Sequence, residues 1–217
     1  MGKRRLEDAI KKINHPVEVI YRCFELDPTK ERDIKENIYE GLAKKYGMSI
    51  EQAKANTQNM VRMAKEAGLD FQMDTLIQTN TFDAHRLTMF AKTKGLMKEM
   101  TERILYAYFT ESKHIGDHQT LTELAVDVGL NREAVEKMLA SDEMADAVRA
   151  DEQTAQQYRI TGVPFFLINN KYALTGAQPT EVFVQALEKV IAEDNIIVLN
   201  NQDGISCDDD GCEIPKK

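Results

Sequence analysis

Three cysteines carry the most reactive side chains of this 217-residue sequence: Cys23, Cys207 and Cys212. Four residues separate Cys207 from Cys212, and Gly211 between them allows the tight turn that would close a small ring. We interpret the pair as a candidate redox pair, with two unrelated thiols or a partial metal site as alternatives. Because tetrahedral zinc needs four ligands, we predict no metal here. The aspartates at 208–210 favour the protonated thiol, which predicts slow chemistry.

Cys23 has a different setting, because it lies in the β-branched and aromatic run of residues 17–26. That run predicts a β-strand, which Asp27 and Pro28 end. A free cysteine inside a strand is usually buried and inert, so we predict that Cys23 packs in the core.

Composition excludes several classes of protein. The net charge is −8, and no basic stripe follows Lys3–Arg5, so we predict no nucleic-acid binding. The sequence has no apolar run long enough to span a bilayer, and no apolar segment follows the basic start as in a secretory signal. We therefore expect a cytoplasmic protein without a membrane partner. No dissociable cofactor is expected.

Periodicity predicts the elements that must position these residues. A helix over residues 3–13 precedes the strand, and a block of helices then runs to about residue 157. A capping box at Ser49 and Gln52 opens one of these helices, and a second box is predicted at Thr120 and Glu123. Asn131 and Ser141 are predicted as the N-caps of two more helices. Helices are predicted to end or break near Gly47, Gly68 and Gly95.

The last third of the sequence changes character. The apolar run Phe165–Ile168, the turn residues 169–171 and the run Tyr172–Thr175 predict a β-hairpin. A final helix is predicted to begin near Thr180, and the short apolar run Ile196–Leu199 follows it. The order of elements therefore predicts an α/β unit that a block of helices divides.

Several stretches in this order resemble the DsbA family of thiol–disulfide oxidoreductases, in its FrnE-like branch. The resemblance covers nearly the whole sequence, and each stretch is specific only in combination with the others. The matching stretches are Gly-Lys-Arg-Arg-Leu at 2–6, Phe-Glu-Leu-Asp-Pro at 24–28, Asn-Thr at 80–81, Ala-His-Arg at 84–86, Thr-Gly-Val-Pro-Phe-Phe at 161–166, Tyr-Ala-Leu-Thr-Gly-Ala-Gln-Pro at 172–179 and the pair Cys207 and Cys212.

The resemblance implies a thioredoxin-like fold with a large all-helical insertion. Residues 1–28 and 159–194 would form the thioredoxin-like domain, residues 29–158 the insertion, and residues 195–217 a tail with the cysteine pair. It also implies a cis peptide bond before Pro164. By the same resemblance the substrate-binding residues are Gly162, Val163, Pro164, Asn80, His85 and Arg86. For His85, a helix-capping or core role is the alternative.

The family pattern places a first, central strand and a Cys-Pro-x-Cys-Tyr motif before Gly2, and neither is in this sequence. In the family that strand pairs with both the 17–26 strand and the Phe165–Ile168 strand. Two apolar strands would otherwise expose unpaired edges. We therefore expect either a start further upstream or another segment in the gap, for which Ile196–Leu199 is the candidate.

The leading functional prediction is a thiol–disulfide oxidoreductase acting on protein or small-molecule thiols and disulfides, impaired without its primary cysteines. A catalytically inactive peptide-binding module is the first alternative. The second is a glutathione-dependent isomerase or transferase, with glutathione as partner. The exposed strand edges also make a homodimer a candidate assembly.

Overall fold

The computed structural model describes residues 1–194, 207–208 and 211–212. Its helices are α1 Gly2–Lys12, α2 Ile38–Tyr46, α3 Ile50–Glu66, α4 Phe82–Lys92, α5 Met97–Phe109, α6 His118–Asp127, α7 Arg132–Leu139, α8 Ala145–Gln157 and α9 Thr180–Asp194. Its strands are β1 Phe165–Ile168, β2 Tyr172–Thr175, β3 Cys207–Asp208 and β4 Gly211–Cys212. Among the described helices, none combines the length and the apolar character needed to cross a lipid bilayer.

Local capping chemistry sets most helix boundaries where the sequence predicts them. The capping box of Ser49 and Gln52 opens α3, as predicted. Gly47 ends α2 in the left-handed region, with a φ of 64°. Gly95, with a φ of 73°, separates α4 from α5. Asn131 caps α7 by accepting a hydrogen bond from the amide of Ala134.

Two predicted N-caps are wrong. Asp117, not Thr120, caps α6: its carboxylate accepts from the Thr120 amide at 2.7 Å and the Thr120 hydroxyl at 2.9 Å. A carboxylate three residues upstream is the stronger acceptor for the free amides of the first turn. Ser141 lies before a turn, and α8 begins after Met144, which has a φ of 67°.

Helices α4 to α7 enclose the larger core. Its fully buried side chains recur at helical spacing on the facing sides of these helices, which is how amphipathic helices exclude water together. The innermost members are Leu87, Met100, Leu121, Leu124, Val135 and Met138.

A second, smaller core lies where α1, α9 and the hairpin meet. Phe183 of α9 is fully buried and meets the Phe166 ring edge-on, with ring centroids 4.7 Å apart. Ala9 of α1 and Leu187 of α9 complete the buried part of this cluster. The hairpin pairs Phe165 with Thr175 and Ile168 with Tyr172 in antiparallel register, as predicted.

The strand predicted over residues 17–26 is not present. No strand that the structure describes lies beside this segment, so its backbone has no ladder partner. Its side chains still alternate, because Cys23 and Glu25 face the insertion while Ile20 and Leu26 are 57% and 59% exposed. The candidate filler Ile196–Leu199 lies outside the described residues.

Candidate functional site

The first turn of α1 lies directly against the loop that precedes the hairpin. The Val163–Pro164 peptide bond is cis. A Cβ atom on Gly2 would lie only 2.9 Å from Cγ of Pro164 and 3.1 Å from Cζ of Phe166. Glycine is therefore required at position 2 for the helix to approach the proline this closely.

The same loop is open on its other side. Val163 is 48% exposed, and a side chain at Gly162 would meet no atom within 4 Å. Strand β1 begins at Phe165, directly after Pro164. An extended peptide can therefore approach the Val163 backbone beside the first turn of α1.

Positive charge is concentrated at this turn. Helix α1 has no acidic residue in its first turn, and Lys3, Arg4 and Arg5 follow one another there. The N-terminal end of a helix is already the positive end of its dipole, so the arrangement favours a bound anion. A thiolate is such an anion, and a helix N-terminus lowers the pKa of a thiol placed on it.

Carboxylates of α1 and α5 hold two of these cations. The Lys3 ammonium donates to Glu7 Oε1 at 2.7 Å and to Glu102 Oε2 at 2.6 Å. The Arg4 guanidinium donates to the same two carboxylates. Burial opposes ionisation of Glu102, but the bonds from Lys3 and Arg4 outweigh it and hold the pKa of Glu102 below its ordinary value. Arg5 donates to the backbone carbonyl of Ala177.

Glu102 was not found by sequence reasoning. It lies on α5, about a hundred residues along the chain from its two partners. No local pattern marks it, because an exposed glutamate on an amphipathic helix is the ordinary solvent face. Only the packing of the insertion against α1 brings it to the site.

Two of the predicted substrate-binding residues make internal hydrogen bonds. Asn80 donates to the Lys30 carbonyl at 3.0 Å and accepts from the Phe82 amide at 2.8 Å, so it orders the start of α4. Arg86 is 4% exposed, pairs with Asp83 and donates to three backbone carbonyls between the last turn of α7 and the start of α8. These bonds position the insertion, and direct contact with a substrate stays a prediction.

His85 lies beside the 17–26 segment. Burial lowers the pKa of its imidazole, against the opposing effects of Glu152, the Phe24 backbone and Asp151. The Cys23 thiol lies 3.8 Å from the His85 carbonyl oxygen. His85 therefore lies at the contact between the 17–26 segment and helix α4 of the insertion. Its proposed role in substrate binding stays a prediction.

Cys23 is buried, as predicted. It is 2% exposed, and burial, together with Asp151 and Glu152, raises the pKa of its thiol to about 12. A thiol with that pKa stays protonated near neutral pH and is a poor nucleophile.

Cys207 and Cys212 lie opposite each other. The backbone register of β3 and β4 pairs Cys207 with Cys212 across an antiparallel ladder. Residues directly opposite in such a ladder have Cα atoms roughly 4.5 to 5.5 Å apart, a separation that a disulfide can bridge.

Comparison with known proteins gives one family and several similar structures. The profile of the DSBA-like thioredoxin domain matches residues 1–188. A crystal structure of a probable DsbA oxidoreductase, SCO1869 from Streptomyces coelicolor, is 39% identical with a TM-score of 0.86. The similarity covers 99% of this chain and 93% of that one.

Two further similarities are more distant. The protein YwbO of Bacillus subtilis (strain 168) is 28% identical over 189 residues, which is 86% of this chain and 88% of YwbO. The cytosolic disulfide reductase DsbM of Pseudomonas aeruginosa, in a structure with GSH, is 16% identical with a TM-score of 0.58. That similarity covers 88% of this chain and 92% of DsbM, and it shows a common fold.

Proposed function

This chain belongs to the family of DSBA-like thioredoxin domains, which are thiol–disulfide oxidoreductases, and we propose that its substrate site lies between the first turn of α1 and Val163–Pro164. The observation that carries the proposal is the close approach of Gly2 to Pro164 beside the open Val163 backbone. An extended substrate would pair with that backbone and present its sulfur to the positive end of α1.

The proposed electron carriers within this sequence are Cys207 and Cys212. One thiolate would attack the substrate disulfide and form a mixed disulfide, releasing the first substrate thiolate. The second thiolate would then attack the cysteine sulfur of that mixed disulfide and release the other substrate thiolate. The cysteine pair loses two electrons and becomes a disulfide, and the substrate disulfide gains them. The backbone register of Cys207 and Cys212 supports this pairing.

The test is reduction of insulin and of a small aromatic disulfide by the full chain, with dithiothreitol as reductant. We expect Cys207→Ser and Cys212→Ser each to abolish turnover above the reductant alone. Cys23→Ala is the matched control and should retain it, because that thiol is buried. Retained turnover in Cys207→Ser and Cys212→Ser would contradict a role for the cysteine pair. No turnover above the reductant alone in the unmodified chain would favour the inactive peptide-binding module.

The substrate site is tested separately, by binding. Titration calorimetry with a cysteine-containing peptide disulfide should give heat for the unmodified chain. We expect at least a tenfold loss of affinity in Val163→Pro, because proline removes the backbone N–H group that an extended substrate would meet. Leu167→Thr on β1 is a control of similar exposure, and an equal loss in both variants would argue against a specific contact at Val163.

Glutathione is the proposed small-molecule partner, because its carboxylates and thiolate suit a turn that carries Lys3, Arg4 and Arg5. The same titration with millimolar glutathione tests it, and no heat would count against both this partner and the glutathione-dependent alternative. Membership of the FrnE-like branch, a cytoplasmic location and a homodimer remain parts of the proposal. Cell fractionation and light scattering during size-exclusion chromatography test the last two.

A further inference from the structure

A cluster of charged side chains joins the 17–26 segment to helix α8. The Glu25 side chain is 1% exposed. Its Oε2 accepts from Nη1 of Arg149 at 2.7 Å, and the same nitrogen donates to Oε2 of Glu152 at 2.6 Å. One guanidinium nitrogen therefore serves two carboxyl groups, one of them fully enclosed.

The second carboxyl oxygen of Glu25, Oε1, has a different environment from Oε2. Among the described residues, Glu25 Oε1 is buried without a hydrogen-bond donor. The Glu152 carboxyl group accepts from the same nitrogen of Arg149, so the two carboxyl groups lie side by side. Since a carboxylate offers only acceptors, the two groups can bond to each other only if one of them holds a proton.

Among the described residues, no cation other than Arg149 forms an ion pair with Glu25 or Glu152. Arg22 pairs with Asp151 at 2.9 Å, and Asp151 also accepts from the Cys23 amide at 2.8 Å. The facing groups on α4 are His85 and Lys92. Burial favours the neutral form of His85.

The Arg149 side chain is 46% exposed, and a ring and two carboxyl groups contact it. Its guanidinium lies over the ring of Phe82, 4.1 Å from the centroid, besides its bonds to the two carboxyl groups. It therefore cannot follow either carboxyl group without losing the ring contact. Two ionised carboxylates would share this single cation, which is costly where one carboxyl side chain is 1% exposed and the other 16%.

We propose that Glu25 holds a proton at its enclosed carboxyl group and donates it to the neighbouring Glu152, forming a proton-dependent clasp that holds the 17–26 segment on α8. Loss of that proton to solvent leaves two carboxylates on one guanidinium, and the segment loosens from the insertion. The proposal goes beyond the proposed redox function, because it needs neither a thiol nor a substrate.

The sign of the pH dependence follows from the same contacts. Burial and the neighbouring Glu152 carboxyl group raise the pKa of Glu25, against the opposing effect of Arg149. The folded chain then binds more protons than the unfolded chain between the two pKa values. The contribution of the pair is complete below the ordinary carboxyl pKa and is lost as the pH rises through the raised value.

Thermal unfolding from about pH 5 to about pH 8 tests the clasp with Glu25→Gln, which keeps the shape and supplies a permanent N–H donor. We expect the melting temperature of the variant, relative to the unmodified chain, to rise by about 2 to 4 °C across that range. Glu188→Gln, an exposed glutamate in the middle of α9, is the control and should show a constant difference. A constant difference for Glu25→Gln as well would overturn the proton on Glu25.

Hydrogen exchange in the unmodified chain tests the loosening without any variant. After correction for intrinsic exchange rates, we expect protection of the Cys23 amide to fall at least tenfold more than that of core amides in α4 as the pH rises through the same range. A parallel change in both would overturn the clasp. Because neither measurement uses a thiol or a disulfide, failure here leaves the redox assays unaffected, and failure there leaves this result unaffected.

Discussion

The helical insertion and the thioredoxin-like part of this chain bury their apolar residues to very different extents. Helices α4 to α7 enclose a continuous core of fully buried side chains. In the other part, the buried members of the cluster are Ala9, Phe183 and Leu187, and two large apolar residues of the 17–26 segment are mainly exposed. A helix block closes its own core, whereas an α/β unit depends on its sheet, and only one hairpin of that sheet is among the described residues.

Replacement of Phe183 by alanine should give the largest effect. It removes a large, fully buried side chain from the smaller core, at an expected cost of about 3 to 5 kcal/mol. If the two regions are separate cooperative units, hydrogen exchange should show lost protection in α1 and α9 and retained protection in α4 to α7. Loss of protection in all helices together would show instead that the two regions unfold as one cooperative unit.

Leu124→Ala is the reciprocal change in the insertion. Leu124 is fully buried among α4 to α7, and its truncation should cost about 2 to 5 kcal/mol. We expect the substitution to lower the free energy of unfolding of the insertion helices by this amount, as measured by chemical denaturation. Because Lys3 of α1 pairs with Glu102 of α5, α1 should also lose part of its stability. An unchanged stability of α1 would show that this contact couples the two regions only weakly.

Gly2→Ala tests the contact between α1 and the cis-proline loop. The added methyl group would lie 2.9 Å from a ring carbon of Pro164. Overpacking of this kind costs about 1 to 3 kcal/mol, partly offset by the better helix propensity of alanine. Gly162→Ala is the matched control, since its methyl group would meet no atom within 4 Å. Denaturation midpoints that are equal for both variants would contradict the close packing.

Glu102→Gln should have the smallest effect, and it tests how much the ion pairs between α5 and α1 contribute to stability. Its carboxyl side chain is 36% exposed, so solvent screening limits the loss of its ion pairs to about 1 kcal/mol or less. Because the pKa of Glu102 is lowered in the fold, its contribution is present above the ordinary carboxyl pKa and disappears as the pH falls through the lowered value. Melting curves of variant and unmodified chain should therefore converge in acid, and a difference that persists there would not come from this charge.

Sequence reasoning was most reliable where one residue decides a local conformation. Ser49 with Gln52, Gly47, Gly95 and Asn131 mark helix boundaries that the structure confirms. The consecutive asparagines of the hairpin turn, Asn169 and Asn170, take the left-handed conformations, with φ values of 48° and 54°.

Sequence reasoning failed where two residues compete for the same capping role, or where a segment needs a partner from elsewhere in the chain. Thr120 lost its predicted capping role because the Asp117 carboxylate reaches the same amide. The 17–26 segment has the composition of a strand, yet a strand exists only with a neighbour to bond. The pair of Glu25 and Glu152 could not be anticipated either, because more than a hundred residues separate them along the chain.

What the sequence by itself determined is the order of helices and hairpin, the family resemblance and the position of the cis bond before Pro164. These follow from local periodicity, capping and a run of short motifs, which act over a few residues. The tertiary structure decided which charges meet: Glu102 meets Lys3 and Arg4, and Glu25 meets Arg149. Such pairs depend on how α5 and α8 pack against α1 and the 17–26 segment, and packing between distant segments leaves no local pattern in the chain.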